Sequence, residues 1–573
     1  MEPIIEFRDL SFQYNAQASP TLKNIELSIR KREKVLIAGP SGCGKSTLIH
    51  CINGLIPFSY KGTMTGEVLV KGKPTKEQSV FDISHTVGTV LQDLDGQFIG
   101  LTVAEDIAFA LENEAVEEPE LHERVRKAAE LVNISSHMDF SPGELSGGQK
   151  QRVSLAGVMV EDVDVLLFDE PLANLDPATG KKTMELIDDI GRQTGAAIII
   201  IEHRLEDVLW RHVDRIVLMG EGRILADTSP DELLSGELLK ENGIREPLYL
   251  TALKYAGVKI SPEMKPRSIR TIRLSEEDRR KVSEWYESRK APEPEEEKIP
   301  VLEVRDLSFA YAGERKGFAV PALEHISAKL YRGELLAIVG QNGAGKSTLS
   351  KVICGFETLQ EGTVLLNGED MAGLSIKERA DHVGYVMQNP NQMISQNLIY
   401  DEIALGLRKR GIGEEEIRER VEETLKVCGL WKFRSWPISA LSYGQKKRVT
   451  IASILVLRPE VIILDEPTAG QDYRHYTDIM EFLVAMNRRG ITIVMITHDM
   501  HLMLEYARRT LVLCERKLLA DTTGAVVLTS PELIKAADLK ETSLYDLAAL
   551  CGIEDAAGYV QCFIDYERQE VRS

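Results

Sequence analysis

Nothing in the 573-residue sequence is apolar for long enough to cross a bilayer: the longest purely aliphatic run, residues 196–201, falls far short of the roughly 20 residues a spanning helix needs. The N-terminus, MEPIIEFRDL, is acidic and lacks the basic-then-apolar order of a secretory signal. A chain that does not sit in a membrane by itself is expected. Cysteine is sparse: seven residues, at 43, 51, 354, 428, 514, 551 and 562, with no C-x-x-C pair, a usage that fits a reduced, cytosolic location. Basic residues are outnumbered, 69 against 89 acidic ones, for a net charge of -20. That balance works against binding a nucleic acid, because affinity for a phosphate backbone comes mainly from Lys and Arg displacing counterions. No low-complexity tract occurs either. What remains, 43% hydrophobic and 28% charged residues, is the composition of a globular protein, and its length calls for two large domains.

The chain repeats itself. IIEFRDLSFQY (4–14) returns as VLEVRDLSFAY (301–311), and each is followed by an apolar strand, a glycine-rich turn and GKSTL. Matched pairs keep a nearly constant offset: Lys45 with Lys346, Gln92 with Gln388, Ser146 with Ser442, Asp169 with Asp465. One large domain has been copied, which differs from a short-period repeat array. We expect a first domain at 1–235, a helical appendage at 236–290, an acidic, proline-containing linker at 291–299, a second domain at 300–530 and a second helical appendage at 531–573.

Both copies carry G-x-x-x-x-G-K-[ST] between a strand and a helix. The first is Gly39, Pro40, Ser41, Gly42, Cys43, Gly44, Lys45, Ser46 and then Thr47; the second is Gly340, Gln341, Asn342, Gly343, Ala344, Gly345, Lys346, Ser347 and then Thr348. Such glycines let backbone N–H groups curl around phosphates, the helix N-terminus adds a favourable dipole, the lysine reaches the terminal phosphates and the Ser hydroxyl suits Mg²⁺. Downstream, VDVLLFDEP and PEVIILDEP are aliphatic strands ending in two acids, Asp169–Glu170 and Asp465–Glu466. Carboxylates at the C-terminal end of a strand buried on both faces are where an open α/β sheet presents groups to a ligand. The aspartates would position Mg²⁺, while Glu170 and Glu466 would orient and polarise an attacking water.

LSGGQKQR (145–152) and LSYGQKKR (441–448) decide the family, since this string opening a helix resembles the signature of the ATP-binding-cassette superfamily. A serine-capped helix start is an equally correct physical description of it. The resemblance covers nearly the whole chain and implies an α/β fold: two P-loop domains, each a mixed sheet core with an antiparallel β subdomain and a helical subdomain. It implies head-to-tail pairing of the two halves within one chain, the signature of one (Ser146, Gly147, Gly148, Gln149) closing over ATP at the phosphate loop of the other, and likewise Ser442, Tyr443, Gly444 and Gln445. It also gives Tyr14 and Tyr311 as the aromatics against adenine, Gln92 and Gln388 as sensors of Mg²⁺ and of a membrane partner, His203 and His498 as contacts to the γ-phosphate, and Asp176 and Asp472 as the cross-domain loop. Three departures stand out: Tyr443 where glycine is usual, Gln471 where leucine is common, and Arg204 after His203 where an acid is common.

A finer resemblance is to the energy-coupling factor transporters, through 90–113, 386–394 and 53–68. It implies ATP hydrolysis at the cytoplasmic face of a prokaryotic membrane, driving import of a vitamin, vitamin precursor or metal ion. Its partners would be a transmembrane coupling protein and a small substrate-capturing subunit. The alternative is a soluble twin-cassette ATPase acting on ribosomes or DNA, which the acidic linker and dispersed cysteines disfavour. A phosphate-loop kinase would lack the signature string.

Overall fold

The computed structural model describes residues 2–91, 96–172, 175, 177–289, 299–312, 319–468 and 473–571. Gln92, Asp176, Gln471, Asp472 and all but the last residue of the expected linker lie outside the described residues.

In each copy the phosphate-loop strand is the centre of a six-stranded sheet. In the first, Lys34–Ala38 lies between Ala197–Ile201 and Arg215–Gly220; Val165–Asp169 and Val87–Val90 continue the sheet beyond Ala197–Ile201, and Arg223–Thr228 closes the other edge. Five strands are parallel and the last hairpin is antiparallel. The reason is in the residue types: Lys34–Ala38 and Ala197–Ile201 are buried along their whole length, so aliphatics face both ways and both sheet faces must be covered. The second copy repeats the order with Val383–Val386, Val461–Asp465, Thr492–Ile496, Leu335–Val339, Arg509–Cys514 and Lys517–Thr522.

A four-stranded antiparallel sheet packs on each core, built on Pro3–Tyr14 and Leu22–Arg30 in the first copy and on Pro300–Ala312 and Ala319–Tyr331 in the second. Phe7, Leu10, Phe12 and Leu22 from that sheet share one apolar cluster with Leu48 and Ile52 of the phosphate-loop helix and Leu167 of the acid-bearing strand, so the loop and the acids rest on common packing. A helical part follows, Val103–Asn113, Glu118–Leu131 and Gly147–Met159, matched by Ile399–Arg408, Glu414–Val427 and Tyr443–Leu455. The fold is thus α/β with mixed sheets and helical C-terminal regions.

Two compact units divide the chain: residues 1–282 with 472–474, and residues 283–471 with 475–573. The division falls inside the helix Glu276–Glu287. Its C-terminal end belongs to the second unit, where Tyr286 donates a 2.8 Å hydrogen bond from its hydroxyl to Asp555 and Trp285 packs edge-on against Tyr559 and Tyr566. Among the described residues no helix is long and apolar enough to cross a membrane.

Candidate functional site

Each phosphate loop is held by a close backbone approach. A Cβ on Gly39 would lie 2.4 Å from the Met219 carbonyl oxygen, and one on Gly340 only 1.9 Å from that of Leu513, so no other residue fits at the loop's start. Each helix then begins behind a left-handed glycine, Gly44 at φ 105° and Gly345 at φ 97°, which offers no side-chain acceptor to the first-turn N–H groups. Those donors and the helix dipole therefore face the loop, the arrangement that binds anions. Lys45 and Lys346 are buried and lie back across their loops: Lys45 Nζ donates to Gly39 O (2.8 Å) and Pro40 O (3.0 Å), Lys346 Nζ to Gly340 O (2.8 Å) and Gln341 O (2.9 Å).

The acid pair meets this loop from the parallel strand next but one in the sheet. In the second copy Ser347 Oγ donates to Asp465 Oδ2 at 3.0 Å, and in the first Asp169 accepts a hydrogen bond from the Ser46 side chain. Burial pushes the Asp169 carboxyl up to about 6, the adjacent Glu170 adds to the rise, and Ser46 and Lys45 oppose it. One residue on, the chain turns sharply: Glu170 and Glu466 have φ of 50° and 46°, a left-handed conformation uncommon for a residue with a Cβ. The turn is tied down by Glu170 N–H donating to Ile201 O and Glu466 N–H to Ile496 O, both at 2.9 Å. It brings each glutamate to the histidine two residues past the next strand: Glu170 Oε1 lies 2.9 Å from His203 Nε2, and Glu466 Oε1 lies 2.7 Å from His498 Nδ1. Burial works to raise the Glu170 carboxyl, yet the hydrogen bond and charge of His203, with Lys45 and Arg204, hold it below its ordinary value.

The structure therefore brings together, in each copy, the sequence-predicted lysine, serine, aspartate, glutamate and histidine. Tyr14 and Tyr311 stand beside the loop helix, their hydroxyls bonded to Thr47 Oγ1 (3.1 Å) and Thr348 Oγ1 (3.2 Å). Ser146 and Ser442 are exposed and cap their helices in a reciprocal box with Gln149 and Gln445, so the structural description of that string holds in full. Gln388 follows the strand Val383–Val386.

Three partners were not read from the sequence. Tyr385 donates to Asp465 Oδ2 at 2.8 Å, whereas the same strand position in the first copy is Thr89, which bonds Asn53. Glu202, buried before His203, accepts N–H bonds from His203 (2.8 Å), Arg204 (3.2 Å) and Leu172 (3.2 Å); in the second copy the position is Thr497, whose hydroxyl accepts from Asp499 N–H (2.9 Å). Lys447 is 1% exposed, with its ammonium on the carbonyls of Met387 and Gln388, both at 2.8 Å; Gln151 occupies its place in the first copy. Burial pulls the Lys447 ammonium down to about 8 against the opposing pull of Asp465 and Glu466. Setting the copies side by side, with Gln151 against Lys447 and Thr89 against Tyr385, was the signal that could have flagged two of these.

Residues 22–173 and 323–469 match the family model described as ABC transporter. The chain belongs to this family. An ABC ATPase binds and hydrolyses ATP, and this one carries two cassettes. Residues 236–309 match a further model, described as ATP-binding cassette cobalt transporter. The chain is 56% identical over 565 residues to a putative ABC transporter ATP-binding protein of Clostridium perfringens, covering 99% of this chain and 98% of that one. It is 55% identical over 571 residues to one of Enterococcus faecalis, covering 99% of both. Among solved structures it is similar to cbiO1 from Clostridium perfringens, described as part of the ABC transporter complex cbiONQ, at 33% identity and TM-score 0.38, covering 42% of this chain and 94% of that chain.

The raised Asp169 carboxyl has a consequence for stability. Between its ordinary value of 3.8 and about 6 the folded chain keeps a proton that the unfolded chain has lost, so stability contributed at low pH is lost as pH rises through about 6. Asp169→Asn removes that loss. In nucleotide-free, chelator-treated protein, the melting temperature of the variant relative to the parent is expected to be higher at pH 7.5 than at pH 5, by differential scanning calorimetry. An equal difference at both pH values would mean that Asp169 is not held in the protonated form.

Proposed function

We propose that the chain is the double ATPase subunit of an energy-coupling factor type importer for a vitamin, a vitamin precursor or a metal ion. Hydrolysis coupled to transport belongs to the family; the importer type is the further step. The observation that carries it is the match of 236–309, the segment joining the cassettes, to a model described for a cobalt transporter, within a chain whose relatives match end to end. Cobalt is accordingly the cargo with a specific argument in its favour. A ribosomal or DNA-directed role has no comparable support.

The residues divide the work as follows. Loop N–H groups and Lys45 or Lys346 bind the ATP phosphates and neutralise their charge. Glu170 and Glu466, each fixed by its histidine, orient the attacking water. A carboxylate held below its ordinary value, as Glu170 is, makes a weak base, so its contribution is positioning and polarising the water more than early proton removal. The serine hydroxyl beside the aspartate, Ser347 on Asp465 at 3.0 Å and Ser46 on Asp169, is a hard-oxygen pair suited to Mg²⁺, with Gln388 and Gln92 as further ligands. Bound there, Mg²⁺ would supply charge neutralisation on the phosphate oxygens. On the family resemblance, the two cassettes pair head to tail within one chain, Ser146 to Gln149 serving the ATP at Lys346 and Ser442 to Gln445 that at Lys45.

A membrane partner needs somewhere to bind. Leu101, two residues before the helix Val103–Asn113, is 81% exposed, and Leu398, the residue before the corresponding helix Ile399–Arg408, is 41% exposed, while Ile99 and Phe81 are exposed apolar residues of the first cassette. Exposed large apolar side chains ahead of a helix in both cassettes are candidate elements of an interaction surface.

Two outcomes test the reading. Glu170→Gln with Glu466→Gln should retain ATP binding while phosphate release falls about 10²- to 10⁴-fold; near-normal release would remove the glutamates from the chemistry. Leu101→Asp with Leu398→Asp should abolish co-purification with multi-span membrane proteins and leave ATP binding intact. Recovery of the unmodified chain on ribosomes, and never with membrane proteins, would overturn the importer assignment.

A further inference from the structure

The helix that opens with the signature carries two side chains in the second cassette that the first cassette does not have, and both end on the glutamine segment. Lys447 Nζ donates to Met387 O and Gln388 O, each at 2.8 Å, and Tyr443 donates from its hydroxyl to the same Gln388 O at 3.2 Å. Both lone pairs of the Gln388 carbonyl are thereby engaged, which fixes the plane of its peptide; the Met387 carbonyl adds a third bond one residue earlier. Rotating the turn after Val383–Val386 would break all three. Burying an ammonium at 1% exposure is costly unless charge-assisted bonds offset the lost hydration. Here the bonds that do so are to the backbone of a single turn.

The first cassette is wired differently at the same two positions. Gly147 has no side chain, and Gln151 donates to Pro171 O (2.7 Å) and accepts from Thr183 Oγ1 (3.0 Å), so its amide is tied to the turn after the acid pair.

We propose that Lys447 and Tyr443 are positioning residues that latch the Gln388 segment to the signature helix, a device of the second cassette that makes the two ATP sites unequal. The inference rests on the assignment of Gln388 as a site residue given above. It gives Tyr443 a role within its own cassette beside the expected contact to ATP bound through Lys45. Lys447 acts through the direction it imposes on Gln388, and a latch of this kind alters kcat at the second cassette more than KM.

A double-mutant cycle separates positioning from mere packing. In a Glu170→Gln background, turnover reports the Glu466 half. Lys447→Met should lower kcat there by roughly five- to thirty-fold with KM within about two-fold, and should lower it no further once Gln388→Ala is present. Tyr443→Phe, which removes one hydroxyl from a 40%-exposed side chain and leaves the fold intact, should give a smaller fall with the same dependence on Gln388. In the mirror background, Glu466→Gln, the effects of Gln151→Met and Gln92→Ala should multiply independently. The latch is overturned if Lys447→Met slows turnover equally with and without the Gln388 side chain, or if Gln151 and Gln92 show the same dependence. Should Gln388→Ala alone leave turnover unchanged, the role of Gln388 fails and the latch goes with it.

Discussion

Two adjacent carboxylates at the end of a strand that is otherwise wholly apolar are the constraint to which the other features of each cassette answer. Val165–Asp169 and Val461–Asp465 are buried up to their last residue, so their ends carry charge into a half-buried place where ionisation is costly. The surroundings meet that cost from two sides. The phosphate-loop serine and lysine approach the aspartate, and the histidine from the next strand holds the glutamate. The left-handed turn at Glu170 and Glu466 lets one acid face the loop while its neighbour faces the histidine. A straight continuation of the strand would send the two side chains to opposite faces of the sheet.

The two copies solve this problem with different second partners. In the first, Asp169 has Ser46 and a carboxyl whose ionisation burial opposes, and the turn after His203 is fixed by the buried Glu202 carboxylate. In the second, Asp465 takes bonds from both Ser347 and Tyr385, Thr497 replaces the carboxylate with a hydroxyl, and Lys447 brings a buried cation towards the acids. Duplication has kept the lysine, serine, aspartate, glutamate and histidine and varied what surrounds them. Equal chemistry with unequal support is a route to two ATP sites that respond differently within one chain.

The loop residues, acids and histidines were legible because each sits in a short string whose order alone places it: a glycine turn before GKS, an apolar run before DEP, another before His203 or His498. The sheet, too, followed from aliphatic runs of strand length, since only a covered parallel strand buries both faces. Tyr385 and Lys447 escaped because their roles depend on register between elements far apart in the chain. A tyrosine in VGYV reads as ordinary strand, and a second lysine in QKKR reads as a solvated helix face until the helix is packed. The helix Glu276–Glu287 reads as part of the first appendage, but Trp285 and Tyr286 find their partners, Tyr559, Tyr566 and Asp555, some 270 residues on. Periodicity says that such a helix has an apolar side and is silent on which unit that side will join.

Two complete phosphate-binding loops in one chain are the centre of this account, and counting bound nucleotide tests them most directly. Equilibrium dialysis of ATP against the Glu170→Gln, Glu466→Gln chain with Mg²⁺ should give two ATP per polypeptide, falling to one with either Lys45→Ala or Lys346→Ala and to none with both. A single ATP per chain, removed by one lysine substitution and untouched by the other, would contradict it.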